Sequence, residues 1–250
     1  MVPSLDALHQ RYQLQATWTA SIRDRLLSRF TPDPHARVLE VGSGTGVITA
    51  DLARRFSTRS FGIEIDPEVA EYAATLPGGI CYAAADGACL PFPNGEFDAC
   101  ACHYLLLWVR NPESVLREMV RVTRSGGCVF AFAEPDYRGR IDHPPELVEL
   151  GALQAKALES QGADPSMGRK LRGLFSAVGL ANVHAGVLGG EWNAAGSPEA
   201  EKSEQETIQA DLAGLQPERL AEYLKTDEES RRAGQRILYV PTFFAAGVVP

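Results

Sequence analysis

The sequence predicts an α/β protein built on a parallel, doubly wound sheet. Three observations carry that expectation. Strand-like apolar runs alternate with helix-like runs across short connections from residue 37 to residue 135. The first strand runs straight into a glycine turn and a helix, "VLEVGSGTG" at 38–46. The run "FDACACHYLLL" at 97–107 is apolar almost throughout, as a strand covered on both faces must be.

The elements follow in chain order. Residues 4–29 place Leu5, Leu8, Tyr12, Trp18, Ile22, Leu26 and Leu27 at near-helical spacing, and "TPDPH" at 31–35 ends that helix. Strand 37–41, the glycine turn and helix 45–56 come next, then strand 59–65. "DPEVAEYAATL" is a helix with Pro67 at its start. "GICYAAA" is a third strand, followed by the turn-rich loop "DGACLPFPNGE" and the fourth strand at 97–107. "NPESVLREMVRVT" is an amphipathic helix, with Asn111 as cap and Gly126-Gly127 as stop. "CVFAFAEP" is the fifth strand. Helices are expected at 144–162 and at "MGRKLRGLFSAVGL", which Gly179 terminates, and a strand at "ANVHAGVLGGEW". Residues 198–230 are polar and helical in composition. "RILYVPTFFAAGVV" closes the chain as a last strand whose Pro241 suits an edge or a bulge.

Bulk composition narrows the function classes. The 250 residues suffice for a real core, and 45% hydrophobic with 22% charged residues is ordinary for a soluble globular protein. A net charge of −8 without a Lys/Arg-rich run argues against nucleic acid as a partner. No apolar run approaches the roughly 20 residues of a membrane helix, and no signal-peptide pattern opens the chain. The five cysteines, Cys81, Cys89, Cys100, Cys102 and Cys128, fall in segments that read as core and lack Cys-x-x-Cys spacing. Reduced thiols in a cytoplasmic protein fit best, with no metal site expected. Composition leaves the oligomeric state open.

The chemistry gathers at strand ends. Gly42, Gly44 and Gly46 let the backbone turn tightly and approach a ligand, with a helix N-terminus aimed at the same place. A dinucleotide site wants G-x-G-x-x-G, but here the third glycine comes one residue early, in G-S-G-T-G, and Val47 stands where the last glycine belongs. Glu40 lies two residues before the first glycine, unhelpful to a phosphate but suited to a cation; bracing of the loop and direct ligand contact both remain open. Glu64, at the end of the second strand, is placed to accept the hydroxyls of a ribose. Asp66 beside it reads as a helix cap. Asp86, after the third strand with Gly87, is placed to meet an adenine amino group or to make an Asp-Gly turn.

Together "VLEVGSGTG", "GIEIDPEVAEYA", "ADGACLPFPNGEFDACACHYLLLWV" and "RVTRSGGCVFAFAEPD" resemble class I S-adenosylmethionine-dependent methyltransferases, in particular the small-molecule group of ubiquinone/menaquinone type. The resemblance spans residues 36–136. It implies a Rossmann-like sheet of seven strands, mostly parallel with the last antiparallel, and S-adenosylmethionine as cofactor. It places Gly42, Ser43 and Gly44 along the methionine part, Glu64 on the ribose with Ile65 against the adenine, Asp86 on the adenine amino group with Gly87 nearby, and His103 in contact with the cofactor. Histidines that many relatives carry after the fourth strand are replaced here by "LLLWV", and the Asn/Asp-Pro-Pro-aromatic motif of amino-group and DNA methyltransferases is absent.

The whole chain reads as one methyltransferase domain: an N-terminal helical lid at 1–30, a cofactor core at 36–136, and helical insertions at 137–170 and 196–232 near an acceptor site. Methyl transfer to a small molecule by in-line displacement needs mainly positioning and exclusion of water. His103 is the candidate base, with a plain cofactor contact as its competing role. Tyr12, with Arg11 and Trp18, is a candidate for closing over the cofactor. Tyr104, Trp108, Tyr137 and Arg138 are candidate acceptor contacts, the last two from the charged stretch "EPDYRGRIDHP", which otherwise reads as a solvated loop. The alternatives are a nucleotide-binding oxidoreductase and a non-catalytic S-adenosylmethionine-binding protein.

Overall fold

The structure is a computed structural model, and it describes residues 4–28, 30, 35–56, 59–190, 198–214 and 217–250. Within these, α1 (Leu5–Trp18) and α2 (Ala20–Leu27) precede β1 (Arg37–Val41), α3 (Val47–Phe56), β2 (Arg59–Glu64), α4 (Pro67–Thr75) and β3 (Cys81–Ala84). Then come β4 (Phe97–Cys102), α5 (Pro112–Val122), β5 (Thr123–Pro135), β6 (Ile141–His143), α6 (Val148–Ser160), α7 (Met167–Ala177) and β7 (Ala181–Val187). The chain ends with α8 (Pro198–Asp211), α9 (Pro217–Arg232), β8 (Ile237–Tyr239) and β9 (Thr242–Val248).

Seven strands form one sheet in the order β3-β2-β1-β4-β5-β9-β7. The pairs among β1 to β5 are parallel, and β9 runs antiparallel to both β5 and β7. Period-two alternation sorts the strands' side chains to two faces. Leu39, Cys100, Cys102, Val129 and Ala131 pack with Val115, Leu116, Met119, Leu171 and Phe175 of α5 and α7. Val38, Ala99, Ala101, Phe130 and Phe132 pack with Ile22, Leu26, Ile48 and Leu52 of α2 and α3. Strand order reverses between β1 and β4, so the carboxyl ends of β1 and β4 open a crevice there, the usual ligand position of such sheets.

Several expectations are corrected. The N-terminal helix breaks at Thr19, whose backbone (φ −109°, ψ 6°) leaves the helical range; the "TPDPH" stop lies outside the described residues apart from His35. The fourth strand ends at Cys102 rather than Leu107. Tyr104 adopts φ +52°, and residues 106–108 form a 3₁₀ turn. Gly126-Gly127 do not end α5, which stops at Val122 as β5 begins. They sit in a register shift of β5 against β4, where a Cβ on Gly127 would lie 2.7 Å from the carbonyl oxygen of Asp98. The last run splits at Pro241 into β8 and β9, and β9 is an interior strand. The missing donor of Pro241 falls between the two strands, where neither ladder needs it. Of the cysteines, Cys100 and Cys102 are fully buried, whereas Cys81 and Cys89 are exposed because β3 is an edge strand and Cys89 lies in a loop.

A second, smaller core lies beyond the sheet. Leu147, Leu150, Ile208 and Leu212 are buried together with Leu153, Leu220, Tyr223 and Leu238 around them. These residues join α6, α8 and α9 to the two-stranded β6–β8 pair. Charges stitch the same elements. Arg140 pairs with Asp142, Arg236 with Asp142 and Asp227, and Arg231 with Asp227 and Glu204. No helix among the described residues is long and apolar enough to cross a membrane.

Candidate functional site

A cavity of about 1100 Å³ opens at the carboxyl ends of β1, β2 and β4 and runs beneath α1, α6 and α8. That volume exceeds the usual few hundred to one thousand Å³ of a single small-molecule site. Tyr12, Glu40, Gly42, Ser43, Gly44, Glu64, Ile65, Asp86, His103, Tyr104, Trp108 and Tyr137 all line it. Gly46, Gly87 and Arg138 do not. Gly46 faces Tyr82, whose hydroxyl donates to its carbonyl at 3.3 Å, and Gly87 packs on Val41 and Val115. Arg138 pairs with Glu159 outside the cavity, while Arg140, two residues on, lines it.

The glycine loop is tightly bound into the fold. The N–H groups of Gly42 and Ser43 both donate to the Ile63 carbonyl, at 2.8 and 2.9 Å, and that of Gly44 donates to Glu64 at 2.8 Å. Glycine is required here: Gly42, Gly44 and Gly46 have φ of +71°, +50° and +83°. A Cβ on Gly42 would strike Leu105 at 2.6 Å, and one on Gly44 would strike the Tyr12 ring at 2.9 Å. The start of α3 is capped by an acid, because Glu40 accepts both the hydroxyl and the backbone N–H of Thr49. Burial pushes the Glu40 carboxyl up to about 8, against the opposing pull of those hydrogen bonds. The loop therefore presents no free run of N–H groups to a phosphate.

Glu64 caps the end of β2. One of its oxygens accepts the N–H groups of Ile65 and Asp66, and the other accepts that of Gly44. Asp66 caps α4 by accepting the Glu68 N–H at 2.9 Å, as its place before Pro67 suggests. Asp86 makes an Asx turn to the Ala88 N–H at 2.8 Å, and its side chain remains open to the cavity. Ile65 is 70% exposed, the extreme among large apolar side chains here. The Ser43 hydroxyl is buried with no partner, an orphaned polar atom packed against Gly62 of β2.

His103 is held from the N-terminal helices. Its Nε2 lies 2.9 Å from the Thr19 hydroxyl, which also accepts from Arg23. Burial, with help from the Arg23 charge, pulls His103 down to about 3. It stays neutral at physiological pH. Arg23 is itself buried and pairs with Asp51 of α3 at 3.0 Å, and His9 meets Thr45 at 2.9 Å. These contacts fasten α1 and α2 over the loop. No sequence signal marked Thr19, Arg23 or Leu105, whose roles depend on residues distant in the chain.

Beyond Tyr104 the cavity is lined largely by apolar and aromatic groups, among them Trp18, Leu107, Trp108, Leu158, Leu188, Ile208 and Leu238. The stretch 134–144 is neither a solvated loop nor a set of free handles. Glu134 is fully buried and accepts the N–H groups of Leu105, Leu106 and Leu107 at 2.9, 2.8 and 3.1 Å. Asp136 pairs with Arg169, and Arg140 is bound by Asp142 and Gln154. Gln154 in turn donates to Asp211 at 2.7 Å.

Comparison with known proteins agrees with this architecture. Residues 39–131, from β1 into β5, match the family described as "Methyltransferase domain". The chain is 34% identical over 144 residues to a malonyl-[acyl-carrier protein] O-methyltransferase of Halorhodospira halophila, covering 53% of this chain and 48% of that protein. It is 34% identical over 137 residues to a demethylmenaquinone methyltransferase of Mycobacterium marinum, covering 52% and 58%. The chain thus spans about half the length of these relatives. The YcgJ protein of Bacillus subtilis shares the fold at TM-score 0.61 and 18% identity, over 92% of this chain and 98% of that one. Geranyl diphosphate C-methyltransferase of Streptomyces coelicolor does so at TM-score 0.62 and 13% identity, over 96% and 80%. The match stops at residue 131, so the matched stretch carries the glycine loop and the strand-end acids but not the elements that roof them.

Proposed function

We propose that the protein is an S-adenosylmethionine-dependent methyltransferase acting on a small-molecule acceptor by in-line displacement. The observation that carries this reading is the loop's wiring. The N–H groups of residues 42–44 are all engaged within the fold and a carboxyl group caps α3, so the site disfavours a pyrophosphate and favours a cationic nucleoside. The buried, unpartnered Ser43 hydroxyl and the side-chain-free edge that Gly42 and Gly44 present to the cavity fit such a ligand. S-adenosylmethionine, when bound, supplies a methyl group on a sulfonium whose departure leaves a neutral thioether.

The remaining roles belong to the chain. Glu64 has one lone pair left on the oxygen facing Gly44 and is assigned to the ribose, with Ile65 offering its exposed side chain to the adenine. Asp86 receives the adenine amino group, and Gly46 and Gly87 permit the tight packing behind the site. Glu40 holds the start of α3 beside the loop. Tyr12 roofs the loop, and His103 is a neutral strut, since a group that titrates at about 3 is a poor proton acceptor. Tyr104, Trp108 and Tyr137 form the acceptor wall, and Arg140 replaces Arg138 at its polar end. The described residues of the segments at 1–30, 137–170 and 196–232 close the site against water.

Calorimetric titration tests the reading. S-adenosylmethionine and its demethylated product S-adenosylhomocysteine should bind and NAD should not. Binding of NAD alone would replace this reading with the oxidoreductase. Cofactor binding without turnover across a broad acceptor screen would favour the non-catalytic one.

A further inference from the structure

The glycine loop leaves one chemical requirement of the proposed cofactor unmet. S-adenosylmethionine carries a single anionic group, its α-carboxylate, and such groups are commonly seated on backbone N–H donors. Here those of Gly42, Ser43 and Gly44 already donate to Ile63 and Glu64, and Glu40 occupies the start of α3. Glu64 and Asp86 add negative charge to the same cavity, while burial keeps Glu40 protonated. An anion needs a cation from elsewhere.

α1 supplies one. Its cavity-facing stripe places Leu8, Arg11, Tyr12 and Gln15 at helical spacing, and the Tyr12 ring lies directly over Gly44. Arg11 lines the cavity, and its Nε is buried without a hydrogen-bond partner. Among the described residues no carboxylate stands within ion-pair distance of it. The other two arginines of the cavity differ. Arg140 is bound on all sides by Asp142 and Gln154, and Arg110 is exposed. A buried cationic donor without an acceptor is costly, and an incoming anion removes that cost.

Resting on the cofactor reading above, we infer that Arg11 is the anchor for the cofactor's α-carboxylate. The N-terminal helix is then part of the cofactor site as well as its cover. The contacts His9–Thr45, Thr19–His103 and Arg23–Asp51 hold Arg11 in register with the loop.

The decisive experiment compares two probes that differ only in that group, S-adenosylmethionine and its decarboxylated form, by calorimetry on the full chain. Wild-type protein should prefer S-adenosylmethionine by about 10- to 100-fold, the scale of a charge-assisted hydrogen bond. Arg11→Gln should lose that preference by weakening S-adenosylmethionine binding alone, and Arg11→Lys should keep part of it. Circular dichroism establishes that each variant is folded. Equal weakening of both probes would make Arg11 merely structural and overturn the inference. Unchanged binding of both by Arg11→Gln would assign Arg11 to something other than the cofactor. Failure of wild-type protein to bind S-adenosylmethionine would instead remove the cofactor reading itself, a result separable from the other two.

Discussion

Replacing Glu134 with alanine removes the acceptor for three consecutive N–H groups at the turn that follows β4. Those of Leu106 and Leu107 are buried, and that of Leu105 is partly so. At roughly 1–3 kcal/mol for each of the two fully buried donors, the variant should lose about 2–6 kcal/mol of stability at about pH 5.5. The loss should shrink as pH rises. Burial lifts the Glu134 carboxyl from 4.5 to about 7, so the wild-type protein is stabilised while this group is protonated, fully so below its unfolded value, and loses that advantage as pH rises through the folded value. Integrating the linkage between about pH 5.5 and 8.5 gives a change of about 2 kcal/mol, which the alanine variant lacks. Glu134→Gln should fall between the two, because its carbonyl oxygen still accepts while its amide nitrogen opposes one N–H. Urea denaturation of all three proteins at both pH values measures this. A loss below about 1 kcal/mol at the lower pH, or one that grows with pH, would refute the role assigned to Glu134.

Three further outcomes are expected. Glu64→Ala should weaken S-adenosylmethionine binding by about 1.5–3 kcal/mol, the range for hydrogen bonds to a charged group; unchanged affinity in calorimetry would count against its ribose role. Gly44→Ala should reduce cofactor affinity by displacing the Tyr12 ring, on top of a cost of roughly 1 kcal/mol for a side chain at positive φ. Combining it with Tyr12→Leu should recover part of the affinity lost to Gly44→Ala, and strict additivity of the two would show that the residues do not meet. Glu40, raised to about 8, also stabilises the fold while protonated, fully below its unfolded value of 4.5, with that contribution lost as pH rises through the folded value. Glu40→Gln should therefore flatten the fall in Tm over that window, and an unaltered pH profile would exclude Glu40 as its source.

The strand-end half of the cavity was legible because its residues are local to strand ends. Gly42, Gly44, Glu64 and Asp86 each follow an apolar run, and in a parallel sheet the ends of such runs share one edge. The half beneath α6 and α8 was not. Arg138 and Arg140 look alike in the sequence, yet one pairs at the surface with Glu159 while the other is buried against Asp142. Glu134 read as a polar handle and proved to be a buried brace, because its three partners lie 27–29 residues away. The short extent of β4 was hidden for the same reason: "CHYLLL" is apolar enough for a strand, and only the distant carboxylate of Glu134 bends it.

Periodicity, the glycine turn and the order of acids at successive strand ends determined the sheet and the edge at which its cavity opens, since each is a local property of the chain. Tertiary structure alone decided which N–H groups of the loop were already engaged, that Thr19 reaches His103, that β9 enters the sheet's interior, and that Arg11 faces the cavity without a partner. Each of these turns on groups far apart in sequence, and pairing and burial between such groups exist only once the chain has folded.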